Sequence, residues 1–334
     1  MEGRQSLHPW VEQRRERVTF GLQAIARKGE PEPGKSVVAA AKVADDLGFD
    51  AFYLGDHPAW SPDPFLHFAA MAVTTRRIFL GPMVSAVPYR NPLLIARLAS
   101  DLDHLSSGRF INGLGIGWNA AEYGLGTNEF DRMGLPYPAT ADRQAALEEA
   151  LAIIRGVWQH TPYTFHGTHY QVTDAQVPPP VQRPEPPLVL AGGGERVTLR
   201  QVARLADVSN FGPGPAGGVD SPEDARRKLA VLRRHCEEVG RPYDDVLRSH
   251  FTHWVMLAET EDAVAAKVER YFPNGLDAFW GAYLVARTPA DAVEYFQSFA
   301  DAGIQHFVAQ VLDTDDDETF QLLAEHVAPA IRPA

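Results

Sequence analysis

A chain of 334 residues, 45% hydrophobic and 22% charged, can bury a large core, which excludes a disordered protein and leaves room for two average domains or one eightfold barrel. The net charge of -12, with five lysines, opposes a phosphate backbone, so no nucleic-acid partner is expected. One cysteine, Cys236, excludes an internal disulfide framework and a thiolate metal cluster, and no apolar run approaches the ~18 residues of a membrane span.

Residues 1–18 are polar and lack the apolar stretch of a signal peptide, so a soluble, cytoplasmic protein with no membrane partner is expected. Beyond them, short apolar runs alternate with longer stretches of helical period. Strands are expected at Val18–Ala24, Ala51–Gly55, Ile78–Val87, Arg109–Gly115, Leu188–Ala191, Asp207–Phe211, His250–Ala258 and Gln305–Leu312. Most are apolar on both faces, as parallel strands buried between layers must be. Eight strands alternating with helices predict an α/β chain: a (β/α)8 TIM barrel with insertions after several strands, one domain over residues 1–334 with its core at about 18–329. Asn91-Pro92, Ser221-Pro222 and Thr288-Pro289 each offer an N-cap followed by proline at the first helical position, and Gly48, Gly240 and Gly303 fall where helices should stop. Three stretches interrupt the alternation: 118–138, 161–187 with a hairpin over Tyr163–Val172, and 273–287. Insertions after barrel strands usually build the active site at the C-terminal face.

Several motifs fall on that face. Asp56-His57 directly follows the second strand, where a histidine can bond to, or exchange a proton with, a cofactor ring, and Asp56 could orient it or raise its pKa. A capped strand end with a structural histidine is the other reading. Gly81-Pro82 inside the third strand predicts a bulge. Gly113-Leu114-Gly115-Ile116-Gly117-Trp118 fails the GxGxxG spacing of a dinucleotide site and opens a loop; glycines here let a flat ring or ribityl chain approach the backbone. Gly192, Gly193 and Gly194 lie between the fifth strand and a helix expected over Arg196–Leu205, an anion site unless they merely form a tight turn. His166 and His169 sit in the surface hairpin with no nearby carboxylate, so no metal site is expected. His250 and His253 should point to opposite faces, and Asp313–Glu318 should be a solvated, acidic start to the last helix.

Taken in order, these pieces resemble the luciferase-like monooxygenase family. The likeness is strongest from Asn91 to Glu122, through Leu102-Asp103-His104-Leu105-Ser106-Ser107-Gly108-Arg109-Phe110 and the glycine run ending at Trp118, and extends more loosely from Val18 to about Pro329. Within the family it leans toward members using coenzyme F420, a deazaflavin. Asp56-His57-Pro58-Ala59-Trp60 resembles the segment that meets the deazaflavin ring, and Leu80-Gly81-Pro82-Met83-Val84 the segment that carries a non-prolyl cis peptide, here between Met83 and Val84. The resemblance implies hydride transfer between F420 and a small organic substrate, with FMN-dependent oxygenation as the alternative. His57 and Trp118 would be catalytic, and Asp56, His57, Met83, Val84, Gly115, Gly117, Gly192, Gly193 and Gly194 would surround the cofactor. A homodimer is implied, with Phe65–Met71 and Leu93–Leu102 as contributors. Two departures stand out: Trp118 replaces a catalytic glutamate of the sugar-phosphate dehydrogenases, and Ile116 a phosphate-binding arginine of the bacterial luciferases.

Overall fold

Strands buried on both faces have no water for their amides, so each must pair with neighbours on either side. The computed structural model, described for residues 7–24, 32–59, 61–118, 128–214, 218–276 and 278–334, meets that demand with a closed parallel barrel. Its strands are β1 (Thr19–Ala24), β2 (Ala51–Leu54), β3 (Phe79–Pro82), β4 (Ser85–Ala86), β5 (Asn112–Gly115), then, after a hairpin of β6 (Tyr163–His166) and β7 (Gln171–Ala175), β8 (Leu188–Ala191), β9 (Val208–Phe211), β10 (Leu247–Thr252) and β13 (His306–Val311). The remaining two, β11 (Val255–Leu257) and β12 (Val285–Arg287), pair with each other outside the barrel. The barrel order is β3-β2-β1-β13-β10-β9-β8-β5-β4. β3 and β4 are halves of one expected strand, and β5 closes the ring by pairing with both: the Ile111 amide donates to the Leu80 carbonyl at 2.8 Å, and Ser85 lies opposite Leu114. Between the halves the Met83–Val84 peptide is cis, at the place the family likeness implies.

Period-two alternation sorts the side chains into two cores. Phe52 and Phe307 point outward to the helices, joining Phe68, Phe110 and Phe296, while Tyr53 and Val308 point inward with Ile111, Val189, Val208 and Leu247. Each such buried apolar side chain contributes roughly 1.5–3 kcal/mol relative to exposure. A short helix, Pro9–Glu12, closes the end of the barrel where the strands begin. There Trp10 meets Phe79 and His306 edge-on, with ring centroids 6.0 and 5.8 Å away.

The expected N-caps and two of the three expected glycine stops are in place; the helix before Gly303 ends earlier, at Ala300, with Asp301 as its cap. Asn91, Ser221 and Thr288 accept from the amides of Leu93, Asp224 and Asp291, and Gly48 and Gly240 end their helices in the left-handed conformation. Two expectations are corrected. The run expected as one strand over His250–Ala258 is two: Trp254, at φ 44°, turns the chain out of the barrel after β10, and β11 leaves to pair with β12. The acidic run at 313–318 is not simply solvated. Asp313 and Asp316 are buried, with Tyr271 donating to Asp313 at 2.7 Å and Lys267 bonding Asp316 at 2.6 Å and Glu318 at 3.0 Å. The helix Glu261–Tyr271 thus supplies a counter-charge to buried Asp316 and a phenolic donor to buried Asp313. No described helix is long and apolar enough to cross a membrane.

Candidate active site

Because all barrel strands run the same way, their C-terminal ends share one rim, and a cavity of about 1450 Å³ opens there. Asp56, His57, Met83, Val84, Gly115, Gly117, Trp118, Gly192, Gly193 and Gly194 all line it, although they come from four separate parts of the chain. Trp60 and residues 119–127, also part of the family likeness, lie outside the described residues.

The carboxylate bonded to His57 is not its neighbour Asp56. Successive residues leaving a strand point to opposite sides. Asp56 is therefore buried against Ser85 Oγ at 2.5 Å and the Arg90 guanidinium, while His57 Nδ1 bonds Glu129 Oε2 at 3.1 Å. Glu129 is 1% exposed and also accepts from Tyr89 Oη at 2.9 Å and the Ala59 amide at 3.1 Å. Burial alone would raise this carboxyl. The hydrogen bonds from His57, Ala59 and Tyr89 outweigh burial and hold Glu129 below the usual carboxylate range. Burial, followed by the Glu129 charge, pushes the Tyr89 phenol up, so Tyr89 remains a donor. Trp118 stands edge-on to His57, ring centroids 6.3 Å apart at 80°. No sequence spacing relates residue 129 to residue 57. The only local trace of Glu129 is that Asn128 caps the short helix Glu129–Met133.

The glycine run of β5 serves the protein's own backbone as well as any ligand. A Cβ on Gly113 would lie 1.9 Å from the Pro82 carbonyl oxygen, one on Gly115 2.8 Å from Val84 Cγ2, and one on Gly117 2.7 Å from the Phe130 ring. The space a Cβ would take at Gly115 and Gly117 is thus already held by Val84 and Phe130, while both glycines line the cavity. They clear room for the Met83–Val84 bulge and for the helix that carries Glu129. Gln23 Nε2 donates to the Met83 carbonyl at 3.4 Å from inside the barrel.

On the other side of the mouth, after β8, Gly192 has φ 128°, which L side chains rarely adopt. The carbonyls of Gly193 and Gly194 are engaged by Lys228 Nζ at 2.6 Å and the Leu199 amide at 3.0 Å. The following helix starts at Thr198, two residues later than expected, and no side chain caps its first turn. Lys228, 4% exposed, also bonds Glu195 at 3.1 Å, and that bond, with the Lys228 and Arg227 charges, outweighs burial and holds the Glu195 carboxyl below the usual carboxylate range. Lys228 was not legible as a site residue, because its helix, Pro222–Val239, reads as an ordinary outer helix. His166 and His169 are exposed on the hairpin, and His250 and His253 face opposite ways, toward Phe299 and toward Gln310.

Residues 18–327 match the model of the luciferase-like monooxygenase family. F420-dependent glucose-6-phosphate dehydrogenases of Amycolatopsis mediterranei (strain U-32) and Microbacterium testaceum (strain StLB037) are 27% and 26% identical, over 93% and 94% of this chain and 98% and 97% of theirs. The F420-dependent tetrahydromethanopterin reductase of Methanopyrus kandleri shares the fold at a TM-score of 0.77 and 21% identity, covering 95% of this chain and 100% of that one. An FMN-bound oxygenating constituent of 3,6-diketocamphane monooxygenase from Pseudomonas putida shares it at 0.74 and 19%, covering 95% and 99%. With a closed parallel barrel, a cis Met83–Val84 peptide behind a C-terminal cavity and a family match over nearly its whole length, the chain belongs to the luciferase-like monooxygenase family.

Proposed function

We propose that this protein is an F420-dependent oxidoreductase moving a hydride between the deazaflavin and a small organic substrate. The observation that carries the reading is His57, held by a buried carboxylate at one side of a cavity whose other side is the Gly192–Gly194 cradle. The residues present fit the cofactor. A cavity of about 1450 Å³ exceeds the roughly 300–1,000 Å³ of a single-ligand pocket, room for a cofactor and a substrate together. Met83 and Val84 offer an apolar wall, and glycines near an uncapped helix start, with Lys228 beside them, suit a phosphate. When bound, F420 supplies a carbon centre that accepts or donates a hydride and reacts poorly with oxygen.

The chain's own groups do the rest. Glu129 fixes the imidazole through Nδ1, so His57 exchanges the substrate proton through Nε2. Tyr89 and the Ala59 amide keep Glu129 ionised and in place. Trp118 and Tyr137 flank the reacting end and keep water out. The cradle takes either cofactor's phosphate, so FMN-dependent oxygenation is the second reading; the names of the curated relatives favour F420. Titrating the protein with F420 and with FMN while following the cofactor absorbance decides between them: the reading expects tight, saturable binding of F420, and binding of FMN alone would sink it.

The same reading takes the chain as one domain acting in the cytoplasm as a homodimer. The helices Pro64–Thr74 and Pro92–Leu105 support the dimer, since Leu66, Val73 and Leu94 are 73%, 69% and 46% exposed on them. An exclusively monomeric mass at micromolar concentration would reject it.

A further inference from the structure

Side chains alternate along each barrel strand, so the strands that fill the inner core with Val189, Val208, Leu247 and Val308 turn Ala191, Asn210, Ser249 and Gln310 inward one layer nearer the cavity. Gln23 joins them from β1, opposite Gln310. This layer is mostly polar and buried, and its bonds can be followed one by one. Gln23 Nε2 donates to the Met83 carbonyl at 3.4 Å, and Gln23 Oε1 accepts from Gln310 Nε2 at 2.5 Å. Gln310 Oε1 in turn lies 3.0 Å from His253 Nδ1. Ser249, fully buried, donates to Asn210 Oδ1 at 2.9 Å. One amide end of the layer is left: Asn210 Nδ2 has no partner among the described residues, although Asn210 is 3% exposed. That nitrogen is not sealed in, because Asn210 lines the cavity.

Asn210 also adjoins the glycine cradle. β8 and β9 pair in parallel with Ala191 opposite Asn210, and the Gly192 amide donates to the Asn210 carbonyl at 3.0 Å. Neighbouring strands lie about 4.8 Å apart, so the Asn210 side chain stands roughly one strand spacing from the first cradle glycine, on the inner side. The barrel order puts β5 and β9 on the two flanks of β8. A ligand with its anion in the cradle and its ring against Met83 and Val84 leaves the cradle between those two strand ends. On the β5 flank Gly115 offers no side chain; on the β9 flank Asn210 offers a fixed N–H. Whatever covers that N–H shuts it off from water and must give it an acceptor.

Resting on the function proposed above, we propose that Asn210 is a cofactor-binding residue whose Nδ2 donates to a hydroxyl oxygen of the ribityl chain between ring and phosphate, and that Ser249 positions it. A hydroxyl carries the lone pairs this donor needs. The Ser249 bond holds Oδ1 and so turns Nδ2 toward the cavity. The pair fixes where the chain leaves the cradle, and with it how far the ring extends toward His57.

The test titrates F420 into the parent protein and into Asn210→Ala, Asn210→Leu and Ser249→Ala, each first checked for a native fold by circular dichroism, and follows the cofactor absorbance with no substrate present. Both Asn210 variants are expected to weaken F420 about tenfold, and Ser249→Ala, which unties the amide without removing it, about threefold. Competition of 5-deazariboflavin and 5-deazalumiflavin against bound F420 then reads the chain apart from the phosphate. The parent should prefer the analogue with the ribityl chain, and Asn210→Ala should erase that preference. Parent-like F420 affinity in either folded Asn210 variant would overturn the assignment. So would equal affinity of the parent for the two analogues, a comparison that needs no variant to fold, or an Asn210→Ala loss shared equally by both, which would move the contact to the ring. A parent protein that does not bind F420 at all would instead sink the function proposed above, so the two failures are distinct.

Discussion

The two ends of the barrel each hold a histidine with fixed partners, and the difference between them is what the proposed function draws on. At the closed end, His306 is bonded to Thr19 Oγ1 at 2.7 Å and lies 3.1 Å from Tyr53 Oη, with no carboxylate against its ring. Burial, reinforced by the nearby Arg14 charge, pushes it down to about 3, so it is a neutral packing residue. At the open end, the His57 side chain is 33% exposed and its Nδ1 is bonded to the Glu129 carboxylate. The residue type is the same at both ends. Access and a carboxylate, rather than histidine itself, separate the structural group from the one proposed as a proton carrier.

The sharpest way to break that comparison is to remove the reactive member. His57→Ala should cut turnover by about 10²–10⁴-fold while leaving F420 affinity within a few-fold. Lost affinity with unchanged turnover of the loaded enzyme would reduce His57 to a binding residue. Next comes the cradle, which shares the open end: Gly193→Asp places a carboxylate against the phosphate and should weaken F420 binding by roughly a hundredfold with the barrel still folded. Native affinity in a folded Gly193→Asp protein moves the phosphate elsewhere on the rim.

A third test addresses the closed end through pH. His306 and His250 are pushed down to about 3 and about 4, both by burial first. Because their folded values lie below the ordinary histidine value, the unfolded chain binds protons first as pH falls. Stability is therefore full above about pH 6.5 and declines toward the folded values, losing about 2 kcal/mol for each histidine at pH 5. Urea unfolding at about pH 7.5 and pH 5 measures the loss, and His306→Gln should shrink it by roughly one histidine's share; an unchanged loss would mean that His306 is protonated in the fold. The smallest expected effect is that of Glu129→Gln, which keeps a bond to the imidazole but removes the counter-charge. Turnover should fall about tenfold at unchanged F420 affinity, and a variant as fast as the parent would show that the pair only holds structure.

Much of this was written in the sequence. Strand positions follow from local runs of residues that cannot face water, caps from side chains within three residues of the amides they bind, and the three-glycine turn from one segment. Those are short-range relations, and a single chain displays them. The pairing of His57 with Glu129, the bonds of Arg143 to the Ile116 and Gly117 carbonyls, the claim of Val84 and Phe130 on the space at Gly115 and Gly117, and the Lys228–Gly193 contact join residues 13 to 72 positions apart. Barrel closure alone makes them neighbours. Asp56 shows the limit most plainly: it stands next to His57 in sequence, but the alternation of an extended chain turns its carboxylate to Ser85 and Arg90, and a carboxylate from a distant helix takes its place.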